Sequence, residues 1–312
     1  MGWLSSLFGP KKPDPKKMSA AQFRNMQLKE QIERANKIPK IKITDRFALE
    51  IRIGQGSMSK VWKARDGKLG RQVCLKILDK EKTKKFDARF AGLVRPHEGI
   101  VSTSLKHKNC VKTYEWGFTK EGEIFIVMEL VDGNGLNFLI ETGSKQLEAN
   151  RANYLAQAAE GLGYVHEQGY MHRDICPRNL LVNSEGVVKL IDFGLTIPNT
   201  PDFCKPGNRT GSANYMAPEL VRRTTTDHRV DLFALGVTAY ETFTAGQPWE
   251  VGQSLQSALS RMNSPPRDPR DYKPDMPENI AKFLLKAIAR DPNERFQTAA
   301  EFRDQVRKLG VP

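Results

Sequence analysis

Two short segments near the middle of the chain carry side chains suited to metal-assisted chemistry. Residues 172–179 read His-Arg-Asp-Ile-Cys-Pro-Arg-Asn, and residues 192–194 read Asp-Phe-Gly. Asp174, Asn179 and Asp192 offer the hard oxygen atoms that Mg²⁺ prefers, and a carboxylate can also accept the proton of a hydroxyl group. A single Asp or Asn is more often a turn or cap residue. Together, the two segments could hold a divalent metal beside a carboxylate that accepts a proton.

A glycine-containing segment upstream could lie close to a phosphate group. Residues 53–61 read Ile-Gly-Gln-Gly-Ser-Met-Ser-Lys-Val, and they end an alternation of apolar residues at positions 47, 49, 51 and 53. That alternation predicts a β-strand with one buried face. Glycines at 54 and 56 let the backbone approach phosphate oxygens closely. A lone Gly-x-Gly is more often a plain turn, so the preceding strand is what favours a phosphate-binding loop.

These segments resemble the motifs of the eukaryotic-type protein kinase family, and the resemblance extends over roughly residues 45 to 309. The catalytic loop and the Asp-Phe-Gly motif of that family match residues 172–194, and its Gly-rich loop matches residues 53–61. Its third-strand lysine motif matches Val-Cys-Leu-Lys at 73–76. The resemblance implies ATP as the phosphoryl donor and Mg²⁺ as the metal, with Mn²⁺ as an alternative.

The resemblance also implies an α+β fold, the bilobal protein kinase fold. We expect a β-rich N-lobe at residues 45–130 and a mainly helical C-lobe at 131–312, preceded by a basic arm at 1–44. A chain of 312 residues with 39% hydrophobic residues is large enough for such a core.

Individual roles follow from the resemblance. Asp174 would accept the proton of the acceptor hydroxyl, and Asn179 and Asp192 would bind the metal. Lys76 would bind the α- and β-phosphates, paired with Glu98, which stands nine residues before a histidine as in the family. Further nucleotide contacts are expected from the glycine loop and from the hinge after the apolar run 124–131: Gly54, Gly56, Ser57, Val61, Met128, Glu129 and Val131.

The region between the third strand and Glu98 is unusual. Gly92, Pro96 and Gly99 surround the glutamate, which predicts a helix that is short, kinked or poorly ordered without nucleotide. Just upstream, four lysines are expected to form an exposed loop: Lys80, Lys82, Lys84 and Lys85.

The activation segment, which opens at Asp192 and closes with Ala-Pro-Glu at 217–219, favours Ser/Thr substrates. Residues 211–219 resemble the Gly-[Ser/Thr]-x-x-Tyr-x-Ala-Pro-Glu of Ser/Thr kinases, with dual specificity left open. Asp231 is expected to brace the catalytic loop, and Arg295 to pair with the glutamate at 219. These late motifs argue against a small-molecule kinase and most resemble bacterial members of the Ser/Thr family.

Autophosphorylation is also expected. In related kinases, the residue at the position of Arg173 binds a phosphorylated activation loop. The candidate sites are Thr196, Thr200 and Thr210, with Thr210 favoured.

Two departures from the family pattern support a rival interpretation. Cys176 replaces the lysine that touches the γ-phosphate in Ser/Thr kinases, and Ser59 replaces the third glycine of the loop. Arg178 stands where many tyrosine kinases keep an arginine that serves instead of that lysine. An active kinase therefore remains the preferred interpretation. The alternative is a pseudokinase or nucleotide-binding scaffold that acts through its basic N-terminal arm.

The arm at 1–44 carries ten Lys or Arg residues against three acidic ones. Trp3, Leu4, Leu7 and Phe8 would share one helical face beside four lysines, which suits peripheral contact with an anionic membrane or an acidic partner. A solvated basic tail is the competing interpretation. An amphipathic helix is expected between residues 19 and 37.

Composition narrows the location. No apolar stretch reaches the roughly 18 residues of a spanning helix, and the four cysteines form no Cys-x-x-Cys pair. A cytoplasmic protein is therefore expected, with the inner membrane surface as a peripheral site. Nucleic acid is an unlikely partner despite a net charge of +13, because no nucleic-acid motif accompanies the charge.

Overall fold

The computed structural model describes Met26 and residues 30–34, 37–55, 58–207, 209–252 and 263–311. The apolar tip of the arm, most of the helix expected at 19–37, and Gly56 and Ser57 lie outside the described residues. Contacts divide the chain into two units, Met1–Ile38 and Pro39–Pro312. Within the first unit, residues 30–34 are helical.

An antiparallel sheet with strand order β1-β2-β3-β5-β4 forms the N-lobe. Its strands are β1 (Phe47–Gln55), β2 (Ser59–Asp66), β3 (Arg71–Leu78), β4 (Thr113–Phe118) and β5 (Ile124–Met128). Helix α1 (Ile43–Arg46) precedes the sheet, and α2 (Lys80–Asp87) and α3 (Glu98–Ser104) lie between β3 and β4 in the chain. Because β3 is hydrogen-bonded to β2 on one side and β5 on the other, Lys76 lies on the central strand of the sheet.

Helices dominate the C-lobe. They are α4 (Leu136–Glu141), α5 (Lys145–Glu148), α6 (Arg151–Glu167), α7 (Pro218–Val221), α8 (Arg229–Thr244), α9 (Glu278–Ala287) and α10 (Ala299–Arg307). Two small sheets lie among them, one of β6 (Gly133–Gly135), β8 (Leu180–Asn183) and β9 (Val188–Leu190), the other of β7 (Tyr170–Met171) and β10 (Ile197–Pro198).

Helix α8 is the centre of this lobe. All of its residues except Arg229 and Glu241 are buried, so the rest of the lobe packs around every side of this helix. The two lobes confirm the α+β bilobal fold. No helix in the described part of the chain is long and apolar enough to cross a bilayer.

Strand β1 confirms one prediction and corrects another. The strand forms, but only Phe47 of the four alternating apolar residues is buried, and Leu49, Ile51 and Ile53 are 38%, 60% and 50% exposed. The register shifts between Leu49 and Ile51 and again between Arg52 and Gly54. Such bulges break the two-residue alternation of faces, so the expected single buried face was wrong.

The lysine-rich segment after β3 also differs from expectation. Lys80, Lys82, Lys84 and Lys85 lie on helix α2 rather than in a loop. The side chain of Asp79 caps this helix by accepting a hydrogen bond from the amide of Lys82. Helix α2 is further fixed because Phe86, near its end, is buried.

Helix α3 is short, as its glycines and proline predict. It has seven residues and begins at Glu98. Gly99 lies against the ring of Trp116 on β4, and a Cβ at this position would come within 2.7 Å of Trp116 Cγ. The absence of a side chain at 99 therefore lets α3 approach the sheet closely enough to bring Glu98 to the interior.

Replacing Gly99 with alanine should lower the free energy of unfolding by about 1–3 kcal/mol, because the added methyl group overpacks against Trp116. Urea denaturation measures the change. Gly163→Ala is the matched control: it is also a helical glycine, but its Cβ would meet Ala299 Cβ at 3.4 Å. The control should be neutral or stabilising by up to about 1 kcal/mol. A Gly99→Ala protein as stable as wild type would show that α3 does not depend on close contact with Trp116.

Candidate active site

A buried lysine joins the two lobes. Lys76 is 4% exposed, and its Nζ donates to Glu98 Oε1 and to Asp192 Oδ1, both at 2.7 Å. Burial by itself would lower the pKa of Lys76, but the carboxylates of Asp192 and Glu98 more than offset it and raise the pKa. Lys76 is therefore held as a cation between two carboxylates. Glu98 lies 22 positions away in the sequence and Asp192 lies 116 positions away.

Asp192 faces the cleft between the lobes. Its side chain is 37% exposed, and its backbone has a φ of 63°. That left-handed conformation is strained for a residue other than glycine, and such strain clusters at functional sites. Burial would raise the pKa of Asp192, but Lys76 and the amide of Gly194, 3.1 Å from Oδ1, lower it. The carboxylate therefore stays ionised, as a metal ligand must.

Asp174 and Asn179 are joined within the catalytic loop. The Asn179 side-chain amide donates to Asp174 Oδ2 at 3.0 Å and to the Asp174 carbonyl at 2.7 Å. These hydrogen bonds turn Asn179 Nδ2 toward Asp174, so Oδ1 is the side-chain atom of Asn179 that could hold a metal. Asp174 Oδ1 accepts from the amide of Ser212 at 2.8 Å. The contact ties the activation segment to the expected proton acceptor, a role for Ser212 that we had not predicted.

A carboxylate on α8 braces the same loop. Asp231 is 1% exposed and accepts from the amides of His172 and Arg173, both at 2.8 Å. His166 Nε2 lies 2.9 Å from Asp231 Oδ2. Arg173 has a φ of 70°, another strained conformation, and its hydrogen bond to Asp231 helps hold it.

The ion pair expected at the end of the activation segment is present. Arg295 donates to the two carboxylate oxygens of Glu219 at 2.7 and 2.8 Å, and its side chain is fully buried. A bidentate guanidinium–carboxylate pair fixes orientation as well as distance. It therefore anchors the end of the activation segment to the C-lobe.

Cys176 and Arg178 both lie close to Ser212. Cys176 is fully buried, and burial raises the pKa of its thiol to about 11. It therefore carries no charge near neutral pH. Arg178 Nη2 donates to Ser212 Oγ at 3.2 Å. A guanidinium thus lies next to the residue that contacts Asp174, although no lysine stands two positions after that aspartate.

Arg95 is a site residue that no motif marks. Its side chain is 4% exposed, and its Nη2 donates to the carbonyl of Gly194 at 2.6 Å. The two residues are 99 positions apart, and Arg95 lies in an irregular segment, so neither spacing nor periodicity points to this contact.

The hinge follows β5. Met128 is 7% exposed at the end of that strand, and Val131 is half-buried. The amide of Glu129 already donates to the carbonyl of Lys112 at 2.8 Å. Because this amide is already hydrogen-bonded, the main chain of Glu129 could contact adenine only through its carbonyl oxygen.

The glycine loop is described in part. Gly54 pairs with Val61 across the β1–β2 hairpin, and Gly56 and Ser57 lie outside the described residues. A Cβ at Gly54 would lie 3.5 Å from Val61 Cβ, an ordinary contact, so packing does not require glycine there.

The activation-segment threonines are not equally accessible. Thr196 is fully buried and Thr210 is 4% exposed, whereas Thr200 is half-buried. Thr210 Oγ1 lies 3.4 Å from Arg173 Nη2. In this arrangement the favoured phosphorylation site, Thr210, is covered.

Comparison with known proteins agrees with this geometry. The protein kinase domain family matches residues 47–305. A probable serine/threonine-protein kinase of Clostridium acetobutylicum is 31% identical over 85% of this chain and 40% of its own length. The serine/threonine-protein kinase PknB of Mycobacterium leprae is 32% identical over 84% of this chain and 42% of its own length. PknB of Mycobacterium tuberculosis is 31% identical, over 85% and 43% respectively.

The chain therefore spans about two fifths of the length of these curated relatives. They are bacterial, which confirms the likeness to bacterial members. The matched region includes Lys76, the catalytic loop, the Asp-Phe-Gly motif, and the residues Asp231 and Arg295 that hold the catalytic loop and the activation segment. This chain belongs to the protein kinase family.

Proposed function

We propose that the chain is an ATP-dependent protein kinase that transfers the γ-phosphoryl group to Ser and Thr hydroxyls of proteins. The observation that carries the proposal is that one cleft contains Lys76, Glu98, Asp174 and Asp192, with Lys76 bonded to two carboxylates. A scaffold that does not bind nucleotide has no need to keep a buried cation in the lining of such a cleft. The names of the bacterial relatives support the same activity.

Each side chain has a task in that reaction. Lys76 binds the α- and β-phosphates while Glu98 holds its orientation, and Asp174 accepts the proton of the acceptor hydroxyl. Asp192 and Asn179 Oδ1 would hold Mg²⁺, or Mn²⁺ as an alternative. The bound metal would neutralise part of the negative charge of the phosphates. Among the described residues no group of three or more His, Cys, Asp or Glu forms a metal cage, so phosphates and water would complete the coordination.

The adenine and the phosphate tail would lie between the hinge and the β1–β2 hairpin. Met128, the carbonyl of Glu129 and Val131 would contact adenine. Val61 and the glycine loop, with Gly54, Gly56 and Ser57, would cover the ribose and phosphates. The position of β3 between β2 and β5 supports this arrangement. It places Lys76 beside the β1–β2 hairpin on one side and beside β5, the strand that leads to the hinge, on the other.

Arg178 would supply the positive charge that Cys176 lacks. Its hydrogen bond to Ser212 Oγ supports this role, because Ser212 in turn contacts Asp174. The guanidinium would act on the moving phosphoryl group in the transition state more than on bound ATP. The expected signature is a loss of turnover without a matching loss of ATP affinity.

We would incubate the full chain with radiolabelled ATP, Mg²⁺ and a generic protein acceptor. Wild type should label the acceptor and itself on Ser or Thr, whereas Asp174→Asn should be slower by about a hundredfold or more, because a general base is removed. Arg178→Ala should lower kcat by about tenfold or more with little change in the KM for ATP.

Arg178→Lys, which keeps the charge, is the matched control and should retain more turnover than the alanine variant. Bound ATP without any label in wild type would instead favour the pseudokinase or scaffold interpretation. Label on Tyr as well would establish dual specificity.

For the arm at 1–44 we propose peripheral contact with an anionic membrane surface or an acidic partner, in a cytoplasmic protein. Its excess of basic residues beside Trp3 and Leu7 supports this. The full chain should sediment with vesicles that contain anionic lipid, and Trp3→Ser with Leu7→Ser should weaken that binding. Equal sedimentation of wild type and variant would count against membrane contact by the apolar tip.

A further inference from the structure

An apolar cluster joins the N-lobe to the activation segment. Its buried members come from α2 and the turn after it, from β7 just before the catalytic loop, and from the activation segment itself: Phe86, Phe90, Met171, Ile197, Phe203 and Cys204. None of the six is more than 6% exposed. We call this set the phenylalanine cluster.

Ring contacts run through the cluster from one lobe to the other. The Phe86 and Phe90 rings pack edge to face with centroids 5.5 Å apart, and Phe90 lies 5.5 Å from Phe203. Aromatic pairs at this separation contribute stabilisation in addition to that from the apolar area they bury. The backbone adds further anchors, because β10 pairs with β7 and the carbonyl of Cys204 accepts from the amide of Thr226 at 3.0 Å.

Arg95 extends the cluster to the metal-binding loop. Its guanidinium lies 4.5 Å from the centroid of Phe86 and donates to Asp87 at 2.8 Å. Its other terminal nitrogen donates to the carbonyl of Gly194. Gly194 in turn contacts Asp192 Oδ1 through its amide. A continuous path of contacts therefore runs from α2 through Arg95 to Asp192.

These contacts hold the activation segment through its own side chains and backbone. Thr196 and Thr210 are covered, and Arg173 faces the hydroxyls of Thr210 and Thr226 at 3.4 and 3.3 Å. At the same time Ser212 already contacts Asp174, and Lys76 already contacts Glu98. The catalytic contacts are thus formed in an arrangement that covers two of the segment's three threonines.

We propose that the phenylalanine cluster and Arg95 take the place of an activation-segment phosphate, so that the kinase is active with residues 195–211 unmodified and Arg95 acts as a positioning residue for Asp192. This inference rests on the proposed function, since it concerns the control of that same site. It predicts that activity does not await phosphorylation of the segment.

The first test is a time course. The full chain is produced together with a protein phosphatase, and mass spectrometry verifies that residues 195–211 carry no phosphate. Phosphorylation of the generic acceptor should be linear from the first time point, and prior incubation with ATP should change the rate less than twofold. A lag that disappears as phosphate accumulates on residues 195–211 would overturn the inference and leave the proposed function intact. No activity in either state would remove the proposed function and the inference with it.

The second test separates positioning from simple stability. Arg95→Gln should raise the Mg²⁺ concentration for half-maximal rate by about tenfold, because groups that orient a metal ligand commonly affect metal affinity on this scale. Arg89→Gln is the matched control, since Arg89 is exposed and lies 5.8 Å from the same Phe86 ring. It should leave the Mg²⁺ requirement unchanged. An unaltered Mg²⁺ requirement in Arg95→Gln would exclude Arg95 as a positioning residue.

The cluster itself is tested by Phe203→Ala, in the activation segment. That variant should lose the linear start and show either a lag or a rate about tenfold lower, with nucleotide affinity retained. Phe138→Ala is the control, because Phe138 is 50% exposed on α4 and has no part in the cluster. A Phe203→Ala protein with wild-type kinetics would show that the cluster does not hold the segment.

Discussion

The hydrogen bonds of Lys76 to Glu98 and Asp192 are the interaction on which the rest of the structure depends. An ammonium group that is 4% exposed is costly unless carboxylates surround it, and removing either partner would leave an uncompensated buried charge. Each partner must therefore be delivered accurately. Gly99 lets α3 bring Glu98 in from one side, and the strained backbone of Asp192 brings the second carboxylate from the other.

The C-lobe supplies the rigid frame for the other half of the site. Helix α8 is buried almost throughout, and its Asp231 accepts hydrogen bonds from two successive amides of the catalytic loop. Arg295 anchors the end of the activation segment through Glu219. The catalytic loop that carries Asp174 is thus fixed by α8. Ser212 contacts Asp174 from the activation segment. The phenylalanine cluster and Arg95 connect this frame to the N-lobe.

The contacts of Lys76 with Glu98, of Asp231 with the catalytic loop and of Arg295 with Glu219 were predictable because the resemblance to the kinase family fixes their residue types and spacing. The short α3 was also predictable from Gly99 and Pro96. What failed was decided by contacts distant in sequence or by irregular backbone. Two bulges in β1 interrupt the alternation that had predicted a buried face. The lysine-rich segment expected as a loop forms α2, because Asp79 caps it and Phe86 is buried. Arg95 was missed because its partner, Gly194, lies 99 positions away.

The most direct test of the central claim is a crystal structure of the unphosphorylated full chain with a non-hydrolysable ATP analogue and Mg²⁺. Lys76 should contact the α- and β-phosphates while it keeps its hydrogen bond to Glu98, and the metal should lie on oxygens of Asp192 and Asn179. A bound nucleotide with Lys76 turned away from Glu98, or a metal held by other residues, would contradict the account.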